Sequence, residues 1–191
     1  MRKFAVSCAV ALGLFLVNSQ AFSANNYKID TAHTFVEFRI KHLGYSWMVG
    51  TFDKVDGEFN YDPKTGVKPS ISMTIDTTSI DTSHAERDKH LRSPDFLDVA
   101  KFPQATFTST GYEGNDKSGV IYGDLTLHGV TKAVKFPVKV IGEGKDPWGG
   151  YRAGFEGELT IDRKDYGVAK PLGPVSWDVN LFFTIEGIKK K

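Results

Sequence analysis

The sequence contains a single cysteine, Cys8, and it falls within the first two dozen residues. Everything after it lacks a disulfide framework, a thiolate metal ligand and a cysteine nucleophile. An excess of charge of one sign is missing too. Lysine and arginine number 24 against 23 aspartate and glutamate, for a formal net charge of +1. So balanced a chain, without a basic stripe, is a poor partner for nucleic acid. Lys189, Lys190 and Lys191 form a short basic tail that reads as a solvated terminus. Apolar runs of membrane-spanning length are absent as well. The uncharged stretch from Phe4 to Val17 has 14 residues, short of the ~20 that a spanning helix needs. Arg2 and Lys3 precede it, and Ser19-Gln20-Ala21-Phe22-Ser23-Ala24 follows it. This order of positive, apolar and small residues predicts a secretory signal peptide over residues 1–23. Cleavage after Ser23 uses Ala21 and Ser23 as the small-residue positions, whereas cleavage after Ala24 would place bulky Phe22 at one of them. The expected product is a single domain over 24–191 with 22 basic and 23 acidic side chains, and with no later transmembrane segment.

The familiar signatures of catalysis are scarce. No Gly-x-Ser-x-Gly elbow occurs. Gly142-Glu143-Gly144 is followed by no helical pattern, and Pro147 interrupts it, so no dinucleotide or phosphate loop is expected. The densest polar cluster runs from His84 through Glu86, Arg87, Asp88 and His90 to Arg92. Six helical residues amount to ~600°, which points His84 and His90 some 120° apart rather than at one metal ion. The cluster reads as a charged helix lying across one end of the fold, with Arg87 and Arg92 tied to nearby carboxylates. Ser83-x-x-Glu86 resembles a capping box at its start, and Ser93-Pro94-Asp95 begins a second short turn. His33, His42 and His128 stand singly at strand ends or turns, where structural hydrogen bonding is the expected role. No catalytic residue and no metal site are assigned.

What the chain does have is period two. Thr34, Val36, Phe38 and Ile40 alternate with Phe35, Glu37, Arg39 and Lys41. The same pattern carries Val55, Gly57, Phe59 and Tyr61; Ile71, Met73 and Ile75; Ala105, Phe107 and Ser109; and Ile121, Gly123, Leu125 and Leu127. It returns in Val134, Phe136, Val138 and Val140, in Tyr151 through Ile161, and in Trp177 through Ile185. Each run predicts a strand with one apolar face. Turn signals such as Asp62-Pro63-Lys64-Thr65-Gly66, Gly114-Asn115-Asp116 and His128-Gly129 separate them. About eight long strands result, with Tyr27 to Asp30 as a lead-in and a short helical segment expected between Leu43 and Val49. The short links favour antiparallel neighbours. Long strands whose apolar faces mix glycine with large aromatics favour a closed barrel over a sandwich. The expected fold is therefore all-β: an extended eight-stranded antiparallel barrel with a short helix at about 84–92. Such a barrel is just wide enough to be filled by side chains or to hold one slim ligand, and the pattern leaves both readings open.

Several separate motifs point further. Asp30-Thr31-Ala32-His33-Thr34, His42-Leu43-Gly44, Asp76 to Thr82, Ser93 to Asp98, Phe102 to Phe107, Gly123 to Lys132 and Trp148-Gly149-Gly150-Tyr151-Arg152 stand in one order. Together they resemble the YceI-like periplasmic proteins over about Tyr27 to Ile188. The resemblance implies a lipocalin-like barrel that binds polyisoprenoid chains, including isoprenoid quinones, in a long apolar channel. It also implies an exported periplasmic protein, often associated with stress, with no agreed enzymatic activity; no enzyme and no cofactor beyond the lipid are expected. The residues expected to line that channel, taken from alternation, are Val36, Phe38, Ile40, Phe59, Met73, Ile75, Phe107, Leu125, Phe136, Val138, Phe155, Leu181 and Phe183. Arg39, Tyr61 or His33 could meet a polar head at a mouth. The expected partner is an isoprenoid lipid or quinone, and a homodimer is compatible with the sequence. Two other readings stand beside this one. In the first, the protein is an enzyme acting on such a lipid, with His84, Glu86 and His90 as acid–base candidates. In the second, it is an envelope-stress interaction module with a filled core.

Overall fold

The computed structural model describes residues 25–191, so the expected signal peptide and its cleavage site lie outside the described residues. The alternating runs become eleven strand segments. They are β1 (Asn26–Ile29), β2 (Phe35–His42), β3 (Ser46–Phe52), β4 (Val55–Asn60), β5 (Ser70–Asp76) and β6 (Ile80–Asp81), then β7 (Gln104–Gly114), β8 (Ser118–Leu127), β9 (Val130–Lys145), β10 (Tyr151–Asp162) and β11 (Asp178–Lys189). One helix, α1 (Ala85–Leu91), stands between β6 and β7. Among the described residues no helix is long and apolar enough to cross a membrane.

The eleven segments lie on eight strand paths. β1 and β2 form the first path, because both pair with β11: Tyr27 faces Lys189 at one end, and Ile40 faces Val179 at the other. β4 and β3 pair with β1 and β2 to make the second path. β5 and β6 pair with β4 and β3 to make the third. β7 to β11 then follow as neighbours, and the β1–β11 pairing closes an antiparallel barrel. All pairings are antiparallel, as short links demand.

Each of the first three paths is interrupted beside an aspartate. Asp30 Oδ1 accepts the Ala32 N–H at 3.1 Å, and Asp76 Oδ1 accepts the Thr78 N–H at 2.9 Å. Asp53 ends β3, with Oδ1 accepting the Thr51 hydroxyl at 2.7 Å. A side chain that captures a nearby backbone N–H offers the backbone an alternative to the ladder. Asp162 does the same to the Lys164 N–H at 2.9 Å, where β10 gives way to the 3₁₀ turn Arg163–Tyr166.

Three local expectations are corrected. The segment 43–49 is not helical: Leu43 (φ 54°) and Gly44 (φ 89°) make a tight turn, and Ser46–Phe52 is strand β3. Met48, Gly50 and Phe52 face inward while Trp47 and Val49 face outward. With large apolar residues on both faces, period two is hidden in the sequence. The helix α1 is capped by His84, whose Nδ1 accepts the Arg87 N–H at 3.3 Å, and not by Ser83. Ser83 instead sits at φ 59° and donates its N–H to Asp81. Nor do Arg87 and Arg92 seek carboxylates. Arg87 donates to the Thr82 hydroxyl and carbonyl, and Arg92 to the Thr78 and Ile80 carbonyls. Buried Asp88 accepts both the N–H and the hydroxyl of Thr82. These bonds moor the helix to the end of the third path, where the ladder with β7 stops after Asp76↔Gln104. The helix and the segment behind it fill that opening.

Candidate functional site

The inward faces of the strands form an apolar interior with a cavity towards each end. The first, about 130 Å³, lies at the end that carries α1, here the helix end. The second, about 70 Å³, lies towards the turns at 60–70 and 114–118, here the turn end.

The structure places Val36, Phe38, Ile40, Ile75, Leu125 and Leu181 around the helix-end cavity. Phe59, Phe107, Phe136, Val138 and Phe155 stand around the turn-end cavity. Met73 and Phe183 border neither and lie between the two. All thirteen residues therefore face inward, as alternation requires. The sequence reading missed the caps. Leu91, Phe96 and Leu97 arrive from α1 and the turn after it, and Val168 and Leu172 from the irregular segment 167–177. They belong to no alternating run, so no strand periodicity could announce them.

Why is there free space at all? Four phenylalanines rest against glycines, three on the neighbouring strand and one across β1: Phe38 on Gly50, Phe107 on Gly123 and Phe183 on Gly157, and Phe59 on Gly187. A Cβ at Gly157 would stand 2.6 Å from the Phe183 ring, and one at Gly50 would stand 2.5 Å from Phe38. Each glycine is thus a recess that lets a large ring lie along the wall instead of across the lumen. Edge-to-face contacts hold the rings in place: Phe136 with Phe183 at 5.2 Å between centroids, and Phe59 with Phe155 at 5.2 Å.

At the turn end, tyrosines close the interior. Tyr61 donates its hydroxyl to the Asp116 carbonyl at 2.7 Å, and Tyr112 to the Asn115 carbonyl at 2.6 Å. Tyr27 is fully buried and stacked on Phe59 at 4.9 Å. Burial pushes the phenols of Tyr27 and Tyr61 up to about 12, because the charged form would lose its hydration. They remain neutral under any ordinary condition.

At the helix end, the one charged group on the cavity wall is Arg163, 4% exposed. Its guanidinium donates to the Ser176, Val168 and Lys170 carbonyls at 2.6–2.8 Å and stacks over Trp177. Burial lowers its pKa. Its work is to pin the segment 167–177 across the end of the barrel.

Of the three residues considered for a polar head, only Tyr61 faces inward. Arg39 lies on the outer wall over Trp47, 4.9 Å from the ring centroid. His33 joins an outer cluster that sequence spacing does not reveal. There Arg152 reaches Asp30 and Glu186, both at 2.5 Å, and Asp146 at 3.1 Å, while His33 Nδ1 lies 2.9 Å from Asp30. Asp30, His33 and Glu186 are close enough to share a cation. Arg152 already supplies the positive charge between the two carboxylates. Its guanidinium first, and His33 second, hold the Asp30 carboxyl down at about 2. No histidine borders either interior cavity. His84 caps α1, His90 lies 3.3 Å from Asp95 and edge-on to Phe96, and His128 lies 3.1 Å from the Tyr166 carbonyl.

A closed, eight-path antiparallel barrel with an apolar interior and a capping helix defines a lipocalin-like protein. The model of the YceI-like domain matches residues 27–187, and the chain belongs to that family. It is 53% identical over 184 residues to the UPF0312 protein PA0423 of Pseudomonas aeruginosa, covering 95% of this chain and 96% of that one. It is 51% identical over 193 residues to Protein YceI of Escherichia coli O157:H7, covering all of both. Among solved structures, BcnA of Burkholderia cenocepacia superposes with a TM-score of 0.74 at 26% identity, over 83% of this chain and 98% of that one. A polyisoprenoid binding domain from Saccharophagus degradans, implicated in plant cell wall breakdown, superposes with a TM-score of 0.68 at 18% identity, over 86% and 98%. At that identity the likeness shows the shared fold.

Proposed function

We propose that this protein is an exported, periplasmic, non-enzymatic carrier for a long apolar isoprenoid lipid or isoprenoid quinone held in the barrel interior. The observation that carries the reading is the pair of apolar cavities towards the two ends of one barrel, with Met73 and Phe183 among the inward residues at the level between them. The binding fold it shares with the Saccharophagus degradans domain supports the same class of cargo. The thirteen alternation residues are the proposed lining, and no cofactor beyond the lipid is required.

Size sets how the cargo would enter. An apolar cavity of ~150 Å³ admits a molecule the size of benzene. Neither cavity alone can hold more than a short piece of an isoprenoid. A long chain must turn Phe183 and Met73 aside and join the two spaces. Each methylene taken from water contributes about 0.8 kcal/mol, so ten gross about 8 kcal/mol before the cost of ordering a flexible chain. No charged anchor is needed.

Native mass spectrometry of protein purified gently from its own envelope, run beside an organic extract, tests the reading. The expected result is a discrete extra mass that matches a prenyl lipid in the extract. Protein that never carries such a mass and takes up no isoprenoid quinone in reconstitution would defeat it.

A further inference from the structure

The outer wall bears an apolar patch for which the interior gives no reason. The β2–β3 hairpin has two different faces. Ile40 and Met48 border the helix-end cavity, whereas the register pairs Lys41↔Trp47 and Arg39↔Val49 point away from it. At the tip, Leu43, Tyr45, Trp47 and Val49 are exposed, Tyr45 by 88%. Exposed Val175 sits beside them, since a Cβ at Gly44 would touch its side chain at 3.5 Å. Two cations frame this surface. Arg39 lies 4.9 Å and Lys41 5.5 Å from the Trp47 ring centroid. Neither joins an ion pair among the described residues. Of the carboxylates on this wall, Glu37 and Glu158 border a shallow groove shared with Arg39 and Val49, and exposed Asp178 stands beside the Val179↔Ile40 pair, next to Lys41 in the register.

Large apolar and aromatic side chains at a tip, with unpaired cations just behind, match the two layers of a membrane surface. Rings with one polar end settle at the headgroup level, and cations meet anionic phosphates. We propose that the β2–β3 hairpin from Lys41 to Val49, with Val175 beside it, docks on a membrane containing anionic phospholipid. The helix end of the barrel then faces the bilayer. The inference rests on the carrier reading and adds to it which end meets the lipid.

The test is co-sedimentation with vesicles of phosphatidylcholine, with or without phosphatidylglycerol and free of isoprenoid. Protein isolated from cells is first checked by intact mass, so that the apolar stretch 4–17 is not what binds. The expected result is binding that requires phosphatidylglycerol and weakens as salt is raised. Tyr45→Ser together with Trp47→Ser should lower vesicle binding at least about tenfold, with the circular dichroism spectrum unchanged. Trp148→Ser removes a tryptophan that is 78% exposed at the opposite end and should leave binding as it was. Equal loss with Trp148→Ser, indifference to phosphatidylglycerol, or a self-association that shields Trp47 without vesicles would overturn the proposal. Cargo is read separately from a solvent extract. Loaded protein that ignores vesicles refutes docking alone, and empty protein that binds them refutes the carrier reading alone.

Discussion

The two ends of the barrel are shut by unlike means. At the turn end, Tyr61 and Tyr112 bond their hydroxyls to the loop carbonyls, and the Arg152 cluster ties β10, β11, the β9–β10 turn and the break after β1 together on the outside. Lys190 adds an ion pair to Glu58 there. At the helix end, closure depends on short irregular segments whose apolar side chains rest on the cavity and whose backbone is held by three arginines, Arg87, Arg92 and Arg163, by the Ser176 hydroxyl and by the Lys170–Asp95 ion pair. The larger cavity lies under this second closure. One end is laced by ion pairs between long strands and their turns, whereas the other is latched by side chains that bond the backbone of short segments. A carrier needs that asymmetry: a firm floor, and a cover that can lift without unravelling the sheet.

The largest expected effect comes from removing the latch. Arg163→Ala strips three buried carbonyls of their donor and should destabilise the fold by about 4 kcal/mol, at roughly 1 kcal/mol per lost bond plus the packing over Trp177. Urea unfolding would measure it. Amide exchange should rise over 167–177 well before it rises at the turn end. If both ends loosen together, the contrast drawn here is wrong. Next comes the narrowing between the cavities. Phe183→Ala should destabilise by about 3 kcal/mol and yet raise the lipid retained per protein, because it joins the two spaces. Retention that falls in a folded variant would place the cargo elsewhere.

Filling a recess should do the reverse on a smaller scale. Gly157→Ala forces the Phe183 ring off the wall, for about 2 kcal/mol, and should reduce lipid content on extraction. The smallest effect belongs to the turn end. Asp30 has its carboxyl lowered from 3.8 to about 2, so the stability it lends is present above pH 4 and fades as pH falls towards 2. Solvent screening at the wall keeps that contribution to about 1 kcal/mol. Asp30→Asn should flatten this part of the acid-unfolding curve. An unchanged curve would show that the Arg152 cluster is held by Glu186 and Asp146 instead.

The barrel was legible where one face of a strand is apolar and the other polar, as from Thr34 to Lys41 or Val134 to Val140. The same alternation placed all thirteen lining residues on the inner wall, though their contact with a lipid remains a proposal. Ser46–Phe52 was misread because Trp47 and Val49 put apolar mass on the outer face as well. That deviation marks the surface proposed to dock. The helix cap shifted by one residue because Ser83 is held by Asp81, leaving the His84 ring to accept the amide. The Arg152 cluster escaped notice for another reason. Its members, at 30, 33, 146, 152 and 186, meet only through register, and register is written in no local pattern. The rings resting on glycines are likewise cross-strand facts.

The three breaks beside Asp30, Asp53 and Asp76 fall on adjacent paths and line up across one side of the wall. On the other side, β7 to β11 run unbroken from end to end. Mechanically this is a spine with a scored cover. On its far side the segment of β2, β3 and β6 is still sewn to that spine by the β2–β11 ladder, from Ile40↔Val179 to Phe35↔Thr184, so the score concentrates bending along one line while the seam keeps the cover attached. On the third path the score falls beyond Ile75, on the helix-end side of Met73, so the bending it permits is felt first by the larger cavity.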